Sequence, residues 1–103
     1  MSGIQVEVPN ERIKAFCQKW KVRELALFGS VVRDDFRPDS DVDVLVAFAD
    51  DAKWGLWEMM EAGQELERIL GRKVDFVENK CVTNPFRRHA ILSSKHVIYA
   101  ARS

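Results

Sequence analysis

Ile13, Phe16, Cys17 and Trp20 fall at i, i+3, i+4 and i+7, the spacing that lays one apolar stripe along a helix. Asn10, after Pro9, offers an N-cap and Glu11 an acid for the first turn, so a helix is predicted to begin there. Residues 25–28 form a short apolar run closed by Gly29, the pattern of a buried strand. Ser30 can cap a short helix through Val31, Val32 and Arg33, and Arg37-Pro38-Asp39-Ser40 is turn chemistry that ends it. From Asp41 the period becomes two. Val42, Val44, Val46 and Phe48 alternate with Asp41, Asp43, Leu45 and Ala47, which predicts a strand carrying two carboxylates at one end.

After a loop at Asp50-Asp51, residues 54–70 predict a long helix. Leu56, Met59, Met60, Gly63, Leu66, Ile69 and Leu70 lie on its apolar side, and Gly71 stands just past its end. Residues 73–77 predict a third strand, with Val74 and Phe76 on one face and Asp75 on the other. Asn84-Pro85 opens another helix, since proline suits the first helical position. Residues 96–101 predict a final strand, with a helical continuation as the alternative. Helices alternate with strands, so the expected class is α/β (α+β): a small mixed sheet with helices packed on it.

The chain has 103 residues, enough for one domain and too few for two, so residues 1–103 are read as a single domain. Hydrophobic residues at 47% and charged residues at 31% argue against disorder or a fibrous repeat. No apolar run approaches the ~18 residues of a membrane span, and the N-terminus lacks a signal-peptide pattern. Cys17 and Cys81 are far apart and without a CxxC partner, as free thiols in a reducing compartment would be. A cytoplasmic setting is expected.

The formal net charge is zero, which gives no general attraction to nucleic acid. Its distribution is uneven. Residues 11–24 carry five basic against two acidic groups, residues 80–102 five basic and no acidic, and between Arg33 and Asp51 seven aspartates face two arginines. Such a pattern suits either a solvated mixed-charge surface or a site holding cations and a polyanion together. His89 and His96 lack a second metal ligand at helical or loop spacing.

Asp41 and Asp43 are alternate residues of one strand and so point to the same side, where they can share a hard divalent cation such as Mg²⁺. Gly29-Ser30 adds a second element. A glycine after a strand lets backbone approach a ligand closely, and a serine opening a helix offers its N–H, hydroxyl and helix dipole to a phosphate. The combination is G-S, ten intervening residues, then D-x-D on the next strand.

The segment LFGSVVRDDFRPDSDVDVLVAF resembles the core of the DNA polymerase β-like nucleotidyltransferases. The small size, Arg33 after the serine and Ser40 before Asp41 look most like the minimal nucleotidyltransferases (MNT), the antitoxin partners of HEPN-domain proteins. The looser similarity runs through the long helix and KVDFV to NPFRRHAIL. The resemblance implies two Mg²⁺ ions held by Asp41, Asp43 and a third carboxylate, Asp75, which also can take a proton from the incoming hydroxyl. It implies ATP as substrate, with Gly29, Ser30, Arg33 and Ser40 in the nucleotide-binding set. Arg33 can equally pair with Asp34, Asp39 or Asp43 as scaffold.

It further implies transfer of AMP from ATP to a tyrosine of a HEPN ribonuclease. Two other functions stay open: an idle module that neutralises its partner by contact, and a small-molecule transferase of the aminoglycoside-modifying type. Arg87, Arg88, His89, Lys80 and Lys95 read as a solvated basic face or a triphosphate contact. The crowding of Trp54, Trp57, Met59 and Met60 leaves either Trp54 or Trp57 for a partner surface, in a homodimer or a hetero-oligomer. Direct nucleic-acid or membrane binding is not expected.

Overall fold

A computed structural model describes residues 8–29 and 41–101. The expected short helix and turn, with Ser30, Arg33 and Ser40, lie outside the described residues. The elements in chain order are α1 (Asn10–Lys19), β1 (Val22–Phe28), β2 (Val42–Phe48), α2 (Leu56–Leu70), β3 (Val74–Glu78), a 3-10 turn (Asn79–Cys81), α3 (Pro85–Ser94) and β4 (His96–Ala100). The four strands form one mixed sheet in the order β3-β2-β1-β4. β1 runs antiparallel to both β2 and β4, and β3 runs parallel to β2 through the α2 crossover. The α/β expectation holds.

Strand alternation gives the sheet two different faces. Leu25, Leu27, Val42, Val44, Val46 and Phe48 turn to one side, where Ile13, Phe16 and Cys17 of α1 and Ala62, Leu66 and Leu70 of α2 bury them. Ala26, Phe28 and Leu45 turn to the other, where among the described residues Val82, ahead of α3, Ile91 of α3 and the partly buried Val77 join them in a small second cluster. The main core therefore lies under α1 and α2. Among the described residues the opposite face is capped by α3.

Several boundaries differ from expectation. Asn10 is the first helical residue rather than the cap: Pro9 is extended, and its carbonyl accepts the first helical bond from Ile13 N–H at 3.0 Å. β1 starts at Val22, not Leu25, because Val22 pairs with Phe48; a bulge between Val22 and Glu24 breaks the alternation that would have revealed it. β3 is shifted one residue onward, to end at Glu78. α3 opens at Pro85 as expected, and the Asn84 side chain caps it, accepting from Phe86 N–H and Arg87 N–H.

α2 begins at Leu56 instead of Trp54. Glu58 reaches back to accept the Gly55 N–H at 2.9 Å, which fixes the entry to the helix. Trp54 leaves the helix; its indole N–H donates to the Trp20 carbonyl at 2.7 Å, and the two rings meet edge-on at 5.3 Å. At about 100° per residue, Leu66 and Trp57 point roughly 180° apart. Leu66 is fully buried and Trp57 is 79% exposed, so Trp57 is the tryptophan left on the surface. Leu56 and Met60, expected in the core, are exposed as well, and Ala62 takes their place inside.

Both cysteines are free, Cys17 buried and Cys81 exposed. Among the described residues no helix is long and apolar enough to cross a membrane.

Candidate active site

β2 sits between β1 and β3, and the register of both pairings meets at Asp43. Asp43 lies opposite Phe28 on β1 and opposite Asp75 on β3. Neighbouring strands are about 4.8 Å apart, so two carboxylates stand side by side on one face. That face is the one shared by Leu45, Phe28 and Val77, because Val42, Val44, Val74 and Phe76 all turn into the opposite core. Among the described residues the second cluster covers it as far as Leu45 and Phe28. Asp43 at its margin is half-buried, and Asp75 and Asp41 are exposed.

Gly29 closes the site from the β1 side. Its φ is +75°, the left-handed region, and a Cβ there would stand 2.1 Å from Asp43 Oδ2. No other residue fits without displacing that carboxylate. The sequence suggested that the glycine lets backbone approach a ligand; the structure adds that the position a Cβ would take is filled by the Asp43 carboxylate. The signal for this was absent from the sequence, because it depends on the register that sets Phe28 against Asp43.

Of the expected site residues, Gly29, Asp43 and Asp75 are brought together. Asp41 precedes β2 by one residue, where the next residue's Val42 N–H donates to Lys73 O at 2.9 Å and ties the β2 entry to that of β3. Among the described residues no three His, Cys, Asp or Glu side chains close into one group. The donor chemistry nevertheless fits a hard cation: every candidate is a carboxylate oxygen, and the missing Cβ of Gly29 leaves the Asp43 carboxylate its place.

The basic residues of α3 divide. Arg88 is half-buried and occupied in structure, donating to Asn79 O at 3.1 Å, Asn79 Oδ1 at 3.3 Å and Val82 O at 3.5 Å. Lys95 is paired with Glu24. Arg87, His89 and Lys80 are exposed. Elsewhere, Glu67 accepts the Val74 N–H at 3.1 Å and so fixes where β3 leaves the α2 turn.

The sheet thus carries adjacent carboxylates at the entry of an inner strand, faced by a glycine that ends the neighbouring strand. The chain belongs to the nucleotidyltransferase domain family, whose model matches residues 10–98. A relative from Methanocaldococcus jannaschii that carries the name protein adenylyltransferase is 35% identical over 82% of this chain and 85% of its own. A solved structure described as a minimal nucleotidyltransferase is 31% identical, with a TM-score of 0.68 over 84% of this chain and 86% of that one.

Two toxin–antitoxin structures share the fold. One, with AMP-PNP, has a TM-score of 0.71 at 20% identity over 92% of this chain and 76% of that one. The other holds a tri-AMPylated HEPN toxin of Shewanella oneidensis with an MNT antitoxin, at a TM-score of 0.63 and 20% identity over 89% and 70%. The expected membership among minimal nucleotidyltransferases is borne out, and the enzyme class with it.

Proposed function

We propose that this chain, as one nucleotidyltransferase domain over residues 1–103, transfers AMP from ATP to a hydroxyl of a partner protein, a tyrosine of a HEPN-domain toxin, in the cytoplasm. The observation that carries the reading is the register that sets Asp43 between Gly29 and Asp75. The names of the relatives and the AMPylated neighbour supply the acceptor class.

In this reaction the acceptor oxygen forms a bond to the α-phosphorus while the α–β bridging bond breaks and pyrophosphate leaves. Asp75, exposed beside Asp43, takes the hydroxyl proton. Ser30, Arg33 and Ser40, with the Gly29 backbone, bind the nucleotide phosphates. Asp41, Asp43 and Asp75 would hold Mg²⁺, which supplies charge neutralisation on the phosphate oxygens.

The test is transfer of label from α-labelled ATP to a HEPN partner, with the parent chain and with Asp43→Asn and Asp75→Asn. Labelled partner with the parent and none with Asp43→Asn is the expected result. Neutralisation of the toxin that persists in the unlabelled Asp43→Asn complex would refute the enzymatic reading and leave contact alone as the function.

A further inference from the structure

A polar cavity lies on the same sheet face as Asp43 but further along β2. It holds about 190 Å³, and its floor is Leu45 and Ala47. Asp43 and Ala47 are four residues apart, about 13 Å along the strand, with the cluster of Leu45, Phe28 and Ile91 between the carboxylates and the cavity. At ~30 Å³ per water this volume takes about six waters, or a small oxyanion with part of its hydration.

Three cations reach its wall: Arg23 from β1, Arg88 from α3 and Lys95 from the end of α3. One carboxylate, Glu24, joins them and is bound to Lys95. Arg23 has Asp50 at 3.9 Å, a loose pair in which both side chains are mostly exposed. Arg88 has no acid among the described residues. Its three hydrogen bonds all leave from one nitrogen, Nη1, and all go to neutral oxygens. A guanidinium carries five donors in a planar fork, so Nη2 and Nε keep theirs while the side chain is held in place.

A half-buried cation with no counter-charge among the described residues, pinned by neutral acceptors at the wall of a polar cavity, is arranged for an anion that comes from outside. We propose that this cavity binds a phosphate group, either free or as the phosphate of a nucleoside monophosphate, at a site separate from the Asp43–Asp75 pair. The shape argues for phosphate over a lone carboxylate. The cations come from two elements on different sides, which suits an ion with oxygens in several directions. The site stands on its own cations and does not depend on nucleotidyl transfer by the chain.

The experiment is calorimetric titration of the full chain in EDTA, which keeps divalent ions away, with inorganic phosphate, AMP and adenosine as probes. Phosphate and AMP are expected to bind and adenosine not. Equal affinities for the two would identify the free ion as ligand, and tighter AMP a nucleoside phosphate; both support the proposal. Arg88→Gln is expected to weaken binding about tenfold or more. Because Arg88 also anchors the Asn79 turn, Arg23→Gln, at an exposed position, serves as the second variant and is expected to weaken binding about threefold.

Asp43→Asn should bind as the parent does. Absence of phosphate and AMP binding, binding that ignores Arg23→Gln and an equally folded Arg88→Gln, or loss of binding in Asp43→Asn would each overturn the proposal. If Arg88→Gln fails to fold, Arg23→Gln alone decides.

Discussion

Replacing Gly29 by alanine tests the site by its tightest contact. The added Cβ has two separable consequences. An L-residue held at φ +75° costs about 1–2 kcal/mol. The Cβ would also stand 2.1 Å from Asp43 Oδ2, so the carboxylate must leave its place. β2 is paired on both sides and cannot shift, which sends the displacement into the Asp43 side chain. An off-rotamer χ angle costs about 0.5–1.5 kcal/mol more, for a sum of about 1.5–3.5 kcal/mol.

Gly71 provides the control, since its φ is +70° but a Cβ there meets nothing within 4 Å. Gly71→Ala should therefore cost only the backbone part, about 1–2 kcal/mol. With a urea slope of about 1 kcal/mol/M, the Gly29 variant should unfold about 1.5–3.5 M earlier than the parent and the Gly71 variant about 1–2 M earlier, a gap of about 1 M between them. In an Asp43→Ala background the excess at Gly29 should vanish, a coupling of about 1 kcal/mol. Nucleotide transfer should fall with Gly29→Ala and persist with Gly71→Ala. Equal midpoints for the two alanine variants, or no coupling to Asp43, would refute the carboxylate contact.

The remaining predictions concern separate parts of the molecule. Asp75→Asn removes one of two like charges facing each other across β2 and β3, so stability should rise by about 0.2–1 kcal/mol in urea titration while transfer falls on the order of 100-fold. Burial pushes the Cys17 thiol from 9.0 up to about 12, so a thiolate-specific reagent at pH 8 should label one cysteine, Cys81, in the folded chain and two after denaturation. The sign of that shift also means that Cys17 supports folding fully below pH 9 and loses its contribution as the pH rises toward 12, seen as a falling urea midpoint. Leu66→Ala should cost about 2–5 kcal/mol, whereas Trp57→Ser, at a position 79% exposed, should stay within about 0.5 kcal/mol by the same titration.

The contrast between Leu66 and Trp57 shows what the sequence could and could not convey about the fold. Period two from Asp41 to Phe48 has one interpretation, because valines at every second position bury only as one face of a strand. α2 was less determinate. Its apolar residues cover more than one side, so spacing alone admits several inward directions. The sheet chooses among them: small Ala62 comes close to it, and Leu56 and Met60 turn outward with Trp57. The bulge in β1 acted similarly, since the residues it interrupts lose the alternation by which a strand is recognised.

The site divides along the same line. Gly29, Asp41, Asp43 and Asp75 were visible as residue types at meaningful spacing, because carboxylates on alternate strand positions and a glycine after a strand are local facts. What joins them is the pairing of three strands. Parallel pairing sets Asp75 beside Asp43, and antiparallel pairing brings the end of β1 to the same point. Two carboxylates placed edge to edge repel each other, and a strand-ending glycine gives up side-chain packing. Both features weaken the fold locally, and under the proposed reaction both become useful once a cation or a phosphate ester shares the face. This local cost, more than the motif itself, argues that the β2 entry is shaped for chemistry instead of for stability.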